Sequence, residues 1–267
     1  MHGGETPINE RARVVVLSLL VLVGILLFWQ AISKPSVGGK VEGLPGPWPV
    51  SITAWEMLSH PFYNNGPNDK GIGLQILYSL GRLTLGYTGA SLLAIFLGVT
   101  LGLSPTLYRA VNPYIQILKP ISPLAWMPLF LYTIKDSAMA AVLVIFMSSL
   151  WPTLANTAFG VSAINRDYLN VARLLQLSWF SRLYKVILPA AAPAIVAGLR
   201  ISIGSAWIAI VAAEMLIGGT GIGYFVWNEW NNLALTSVIF AILVIGMVGV
   251  LLDLGLSRLA RFVTYAE

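Results

Sequence analysis

Asp167 to Pro189 reads DYLNVARLLQLSWFSRLYKVILP, the longest polar and basic interruption in the second half of an otherwise apolar chain. The stretch predicts two short helices with a break between them. Asp167 is placed to cap a first helix from Tyr168 to about Leu177, and Ser178 to cap a second that runs to Leu188. Pro189 then opens the next apolar run. In the first helix Tyr168, Ala172 and Leu175 recur at spacings of four and three and form one apolar stripe, while Asn170, Arg173 and Gln176 lie off it. An amphipathic helix of that kind rests on a membrane surface.

Working outward, the composition says what this interruption interrupts. Of 267 residues 57% are hydrophobic and 10% charged, and mean hydropathy is +0.79, far from the averages of soluble domains. The chain reads as an all-α, polytopic membrane protein. Cysteine is absent, which removes disulfides, thiol nucleophiles and Cys-based metal sites. His2 and His60 lie outside the apolar segments and form no ligand cluster, so no metal is expected. The pI near 9.5 comes from basic residues scattered between apolar spans, not gathered into a patch, and nucleic acid is not an expected partner. There is no His-Glu-x-x-His, no nucleophile elbow and no Walker-type phosphate loop. Gly218 to Gly223, GGTGIG, resembles a phosphate loop only superficially, because no strand precedes it and no Lys follows in register. No catalytic residue and no cofactor of its own is expected.

About six spans are predicted. After residues 1–13, Val14 to Ile32 is charge-free and long enough for one crossing of a ~30 Å hydrocarbon core. Ala31-Ile32-Ser33 resembles a signal cleavage site, but the apolar core exceeds the ~7 to 15 residues usual for one. Residues 33–73 form an outer, Gly- and Pro-rich loop with one short helix, opened by Thr53 and Glu56 as a capping box and closed by Pro61. Trp48 and Trp55 of this loop suit the membrane interface. A core of five helices occupies residues 74–257, interrupted by the basic segment 160–188, and a tail covers 258–267. Within the core, Leu74–Leu103 carries Gly98 and Gly102 as a GxxxG. Tyr114–Ile134 carries Pro120, Pro123 and Pro128 and must kink or break, which places it inside a bundle. Ser137–Phe159, Pro189–Leu216 and Leu235–Leu254 complete the set. Ten Lys and Arg fall in one set of loops and four in the other, so the richer side, with both termini and the 160–188 segment, is expected to be cytoplasmic.

Five residues are candidates for a translocation pathway. Arg200 lies about 16 Å from Pro189 along its helix and so near mid-membrane, where a charge usually faces a bundle interior or a wet cavity. Trp207 and Glu214 follow at intervals of seven, with Gly204 between, nearly on one stripe. A guanidinium at that depth offsets part of an anion's desolvation cost, although pairing within the bundle would make it purely structural. Arg82, about 32 Å from the inner end of its span, reads either as snorkelling to the outer interface or as attracting anions to the mouth.

The order of residues in the opening stretch resembles the cytoplasmic loop of permease subunits from bacterial ABC importers. That loop carries Glu-Ala-Ala, three residues, Gly, nine residues and Ile-x-Leu-Pro. Ala172, Leu188 and Pro189 match, Ile187 lies beside the Ile position, and Asn170, Val171 and Gln176 depart from Glu, Ala and Gly. PYIQILKPISPLAWMPLF before it and GLRISIGSAWIAIVAAEMLIGGTGIGY after it are similar to the branch that imports nitrate, sulfonate and taurine, or bicarbonate, and NVARLLQLS to the nitrate-type permeases of cyanobacteria. The resemblance implies a type I importer permease of the inner membrane that moves nitrate, and nitrite, by alternating access. It implies a homodimer with two ATPase subunits that bind ATP and Mg, and the likeness to the cyanobacterial systems adds a regulatory solute-binding domain on one of them. A periplasmic or lipid-anchored solute-binding protein would deliver the anion, and membrane lipid would surround the spans. It also implies coupling to the ATPase through Asn170, Ala172, Arg173, Gln176 and Leu177, with Gln176 altering the turn that Gly would make. A self-sufficient secondary transporter or channel is the alternative class; it predicts inverted repeats or several buried acids, and neither is evident.

Overall fold

The computed structural model describes residues 7–33, 43–66 and 69–263. Residues 1–6, Lys34 and Lys40 of the outer loop, and the tail from residue 264 lie outside the described residues. Eleven α-helices make up the described chain: α1 Pro7–Ile32, α2 Pro47–Ser59, α3 Ile72–Leu103, α4 Pro105–Leu118, α5 Met127–Ile134, α6 Ser137–Ser162, α7 Arg166–Leu174, α8 Trp179–Arg182, α9 Leu188–Ile217, α10 Ile222–Asn231 and α11 Leu235–Val263. Extended pairing among these residues is limited to one isolated bridge, Asn64 with Lys70. Five helices, or six with one broken pair, are long and apolar enough to cross a membrane.

α6 is the axis of the bundle, with α3 packed on one side and α9 on the other. Without a hydrophobic drive between helices in lipid, close approach depends on small residues. A Cβ at Gly98 of α3 would stand 2.6 Å from Thr157 Cβ, and one at Gly102 2.6 Å from Val161 Cβ; Gly198 of α9 would meet Asn156 Cβ at 2.7 Å. The GxxxG pair therefore touches α6 along its length. Ser149, Thr153 and Thr157 of α6 are buried, and Thr153 donates to Ser202 Oγ of α9 at 2.9 Å. Tyr87 of α3 donates to the Leu199 carbonyl of α9 at 2.9 Å.

The proline-rich third span is broken, not merely kinked. α4 and the segment from Pro123 meet at 82°, with a 3-10 turn at Pro123–Trp126 before α5. Arg109 lies inside α4 and not in a loop, because Ser104 alone makes the turn: it ends α3 and accepts from Leu107 N to cap α4. The outer helix also differs from expectation. α2 starts at Pro47 behind Gly46, so Thr53 and Glu56 are interior to it and form no capping box. Proline at the first helical position is pre-set for a start there. Trp48 and Trp55 are exposed. Near the C-terminal end of α1, Trp29 packs on the core and donates to the Pro45 carbonyl at 2.9 Å; the other side chains from Ala12 onward are almost all exposed.

Candidate functional site

The opening stretch folds into a small knob. α7 begins two residues earlier than Asp167 predicts, because Asn165 is the cap, its Oδ1 accepting from Asp167 N at 2.9 Å. Asp167 then falls in the first turn, where a carboxylate still suits the positive helix end. The helix closes in a Schellman turn: Gln176 N bonds to Arg173 O at 2.9 Å and Leu177 N to Ala172 O at 3.1 Å. Gln176 has φ +51°, the left-handed conformation glycine adopts freely. The expectation that Gln176 alters this turn is thus corrected, since the two closing bonds hold glutamine in the glycine conformation. Of the expected stripe, Ala172 is buried, whereas Tyr168 and Leu175 are exposed. Asn170, Arg173 and Gln176 are exposed and Leu177 is half-buried, so the knob stands on Ala172 and presents Val171, Leu174 and Leu175 outward.

From the knob, one continuous element crosses the membrane. Ser178 caps α8, accepting from Ser181 N at 3.3 Å. The helix then passes through a π-helical turn, Leu183–Ile187, directly into α9, so that Trp179–Ile217 is a single 39-residue rod. The helix continues through Pro189 for a physical reason. Proline lacks an N–H and its ring presses on the carbonyl four residues back, and a wider i→i+5 turn relieves both. Leu188 N accordingly bonds to Leu183 O. Ile187 is buried with Val99, Val161, Ala191 and Ile195 and anchors the rod against α3 and α6.

The outer end of the rod carries a buried polar cluster. Glu214 is 1% exposed and ion-paired to Arg82 Nη1 at 2.7 Å. Ser79 Oγ donates to its carboxylate, at 2.7 Å to the nearer oxygen, and Gly223 N donates at 3.1 Å. Arg82 does not snorkel: its guanidinium turns inward and donates also to Thr220 O at 2.5 Å and Thr220 Oγ1 at 2.7 Å. Gln75 Oε1 accepts from Gly221 N at 2.6 Å. A side chain at Gly221 would collide with the Glu214 carboxylate, so that position requires glycine. Together these bonds pin the Gly218–Gly221 turn, and α10 behind it, onto α3.

Arg200 has a partner on another span. Its Nε and Nη2 donate to Asp253 Oδ1 and Oδ2 of α11 at 2.6 and 2.7 Å. Both side chains remain about half exposed, 52% and 45%. Arg200 and Gly204 lie on the exposed face of α9, with open space over Gly204, while Trp207 and Glu214 point into the bundle. The predicted common stripe divides because a straight helix drifts about 20° per heptad. Trp207 packs against Gly249 and donates to Ile245 O at 3.0 Å. Fourteen residues separate Arg200 from Glu214, roughly 21 Å along the helix.

Sequence reasoning missed Asp253, Gln75, Ser79 and Thr220. The rule that singled out Arg200, a charge inside an apolar run, applies equally to Asp253. Gln75, Ser79 and Arg82 recur at spacings of four and three, a polar stripe on an apolar helix, and that was the signal for the outer cluster. Among the described residues no group of His, Cys, Asp or Glu is arranged to hold a metal ion.

Residues 90–265 match the family described as binding-protein-dependent transport system inner membrane component. The chain is 39% identical over 253 residues to the nitrate import permease protein of Synechocystis sp., covering 95% of this chain and 90% of that one. It is 41% identical over 246 residues to a bicarbonate transport system permease protein of the same organism, covering 91% and 86%. Among solved structures it is similar to a chain of a methionine ABC transporter in inward-facing conformations, with TM-score 0.59 and 16% identity over 82% of this chain and 97% of that one. At that identity the likeness shows the fold, which is that of an ABC importer permease.

Proposed function

The chain belongs to the family of binding-protein-dependent transport system inner membrane components and is a multi-pass permease subunit of an ABC importer, and we propose that its cargo is nitrate, with nitrite. The observation that supports an importer driven from the cytoplasm is the knob: Val171, Leu174 and Leu175 stand exposed on a helix anchored by Ala172 and joined to a 39-residue rod. A rigid rod converts displacement of the knob into displacement of α9, and with it the Arg200 and Glu214 levels. In this reading Asn170, Arg173, Gln176 and Leu177 border the surface that two ATP-binding cassette subunits grip. Those subunits bind ATP and Mg; this chain binds no cofactor. Two copies of the chain form the permease in the bacterial inner membrane, both termini facing the cytoplasm. A periplasmic or lipid-anchored solute-binding protein supplies the anion, and Arg82, Arg200, Gly204, Trp207 and Glu214 belong to the pathway or its supports.

Bicarbonate is the second reading, favoured by the 41% identity to a permease named for it. Nitrate and bicarbonate are both planar monoanions, so one pathway suits either. The test is to reconstitute the purified complex with its binding protein and measure ATP hydrolysis and uptake with each anion. Nitrate-stimulated hydrolysis with nitrate uptake supports the first reading, and stimulation by bicarbonate alone replaces it with the second. Leu174→Asp, at a side chain 82% exposed, is expected to abolish stimulation while the permease still assembles. Unchanged stimulation in that variant would refute the coupling role of the knob.

A further inference from the structure

Resting on the reading of this chain as an oxyanion permease, we propose that the Arg200–Asp253 pair is a weak waystation for one planar, singly charged oxyanion. The anion sits on the Nη1–Nη2 edge of the guanidinium while Asp253 holds the other edge. A guanidinium has five N–H donors in a fixed fork. Asp253 occupies the Nε–Nη2 side, and the bonds of the described residues give the Nη1 side no protein acceptor. The open edge has the spacing that accepts two oxygens of a planar anion at once.

The exposure of the pair decides what it faces. Two charged side chains 52% and 45% exposed, roughly 21 Å below Glu214, are too costly to turn toward lipid tails. The same face of α9 carries exposed Ala197, Ile201, Gly204 and Ile208, and nothing in this chain lies within 4 Å of a Cβ at Gly204, so no side chain of the chain itself covers that position. Asp253 also has a use beyond holding Arg200. A bare guanidinium in a low-dielectric setting would trap an anion, and conduction requires a site strong enough to enter and weak enough to leave. The carboxylate cancels much of the field at a distance and leaves the fork's geometry intact.

The protein has no cysteine, so Gly204→Cys places a single thiol one turn from Arg200. In the assembled complex in proteoliposomes, a charged thiosulfonate is expected to modify it, and nitrate or bicarbonate to slow the modification about tenfold or more, a protection lost in Arg200→Gln. Protection by both anions, or by one alone, supports the site and identifies what it passes. Asp253→Asn is expected to lower KM and turnover together, since the anion is then held too tightly. Arg200→Lys should raise KM about tenfold, because an ammonium lacks the fork. The charge swap Arg200→Asp with Asp253→Arg separates a site from a strut: uptake restored to the wild-type rate would overturn the proposal. A thiol that is unreactive, or reactive without anion protection, would overturn it too, by assigning this face to lipid or to the second copy. Binding-protein-stimulated ATP hydrolysis reports assembly of each variant. Failure of the unmodified complex to take up either anion would refute the oxyanion reading itself, which these variants do not touch.

Discussion

Replacing Arg82 by methionine keeps most of the side-chain volume and removes the cation from the outer cluster. Glu214, 1% exposed, then loses its 2.7 Å ion pair, and the Thr220 carbonyl and hydroxyl lose the guanidinium as donor. Stripping one partner from a buried pair costs about 3 to 5 kcal/mol. Here the lower end applies, about 3 kcal/mol, because Ser79 Oγ and Gly223 N still donate to the carboxylate and Arg82 is itself 17% exposed. With a melting shift of about 2 to 4 °C per kcal/mol for a chain near this size, thermal unfolding of the purified complex in mild detergent should fall by about 6 to 12 °C. Glu214→Gln retains an acceptor for Ser79 and Gly223 and removes the charge. The double variant Arg82→Met with Glu214→Gln should therefore lose about 2 kcal/mol less than the two single losses added. Strict additivity would refute the reasoning, since it would mean that Arg82 and Glu214 stabilise the outer turn independently.

Gln176→Gly should stabilise the knob by about 0.5 to 1 kcal/mol, because φ +51° strains glutamine and not glycine; slower hydrogen exchange across α7 would report it, and a β-branched Gln176→Val should do the reverse. Gly98→Leu drives side-chain atoms into Thr157, whose Cβ already lies 2.6 Å from where a Cβ would stand, and should cost about 1 to 3 kcal/mol in thermal stability. Gly24→Leu on α1, where nothing lies within 4 Å, should cost no more than the noise of the same measurement. Trp207→Phe removes the indole N–H that bonds Ile245 O at 3.0 Å, and should lower the melting temperature by the few degrees that about 1 kcal/mol represents.

Much of the fold was legible because membrane insertion makes strong, local demands. A hydrocarbon core requires long apolar helices with internally satisfied backbones, and α3, α6 and α9 begin and end within a few residues of where hydropathy puts them. The prolines of the third span announce a break because a missing N–H and a ring clash are local events. Caps were harder to read. Asn165 and Asp167 are both good cap residues two positions apart, and Asn165 takes the role by accepting from Asp167 N. Pro189 misled for a related reason: a proline interrupts an α-helical ladder, but packing of Ile187 into the bundle retains the helix by widening one turn.

What the sequence alone determined is the class of molecule and the inventory of its charges. Hydropathy leads to a polytopic membrane protein, and the order of residues around Ala172 and Pro189 resembles that of an ABC importer permease, since each depends only on what lies within a turn or a span. What only the tertiary structure decided is which charges meet. Arg82 finds Glu214 across 132 positions and Arg200 finds Asp253 across 53, partnerships no local spacing encodes. Their depth, exposure and free donors follow from how α3, α9 and α11 pack against one another. Electrostatic function in a membrane depends on that geometry, because in a low dielectric a charge is either paired, wetted or excluded, and the neighbouring helices determine which.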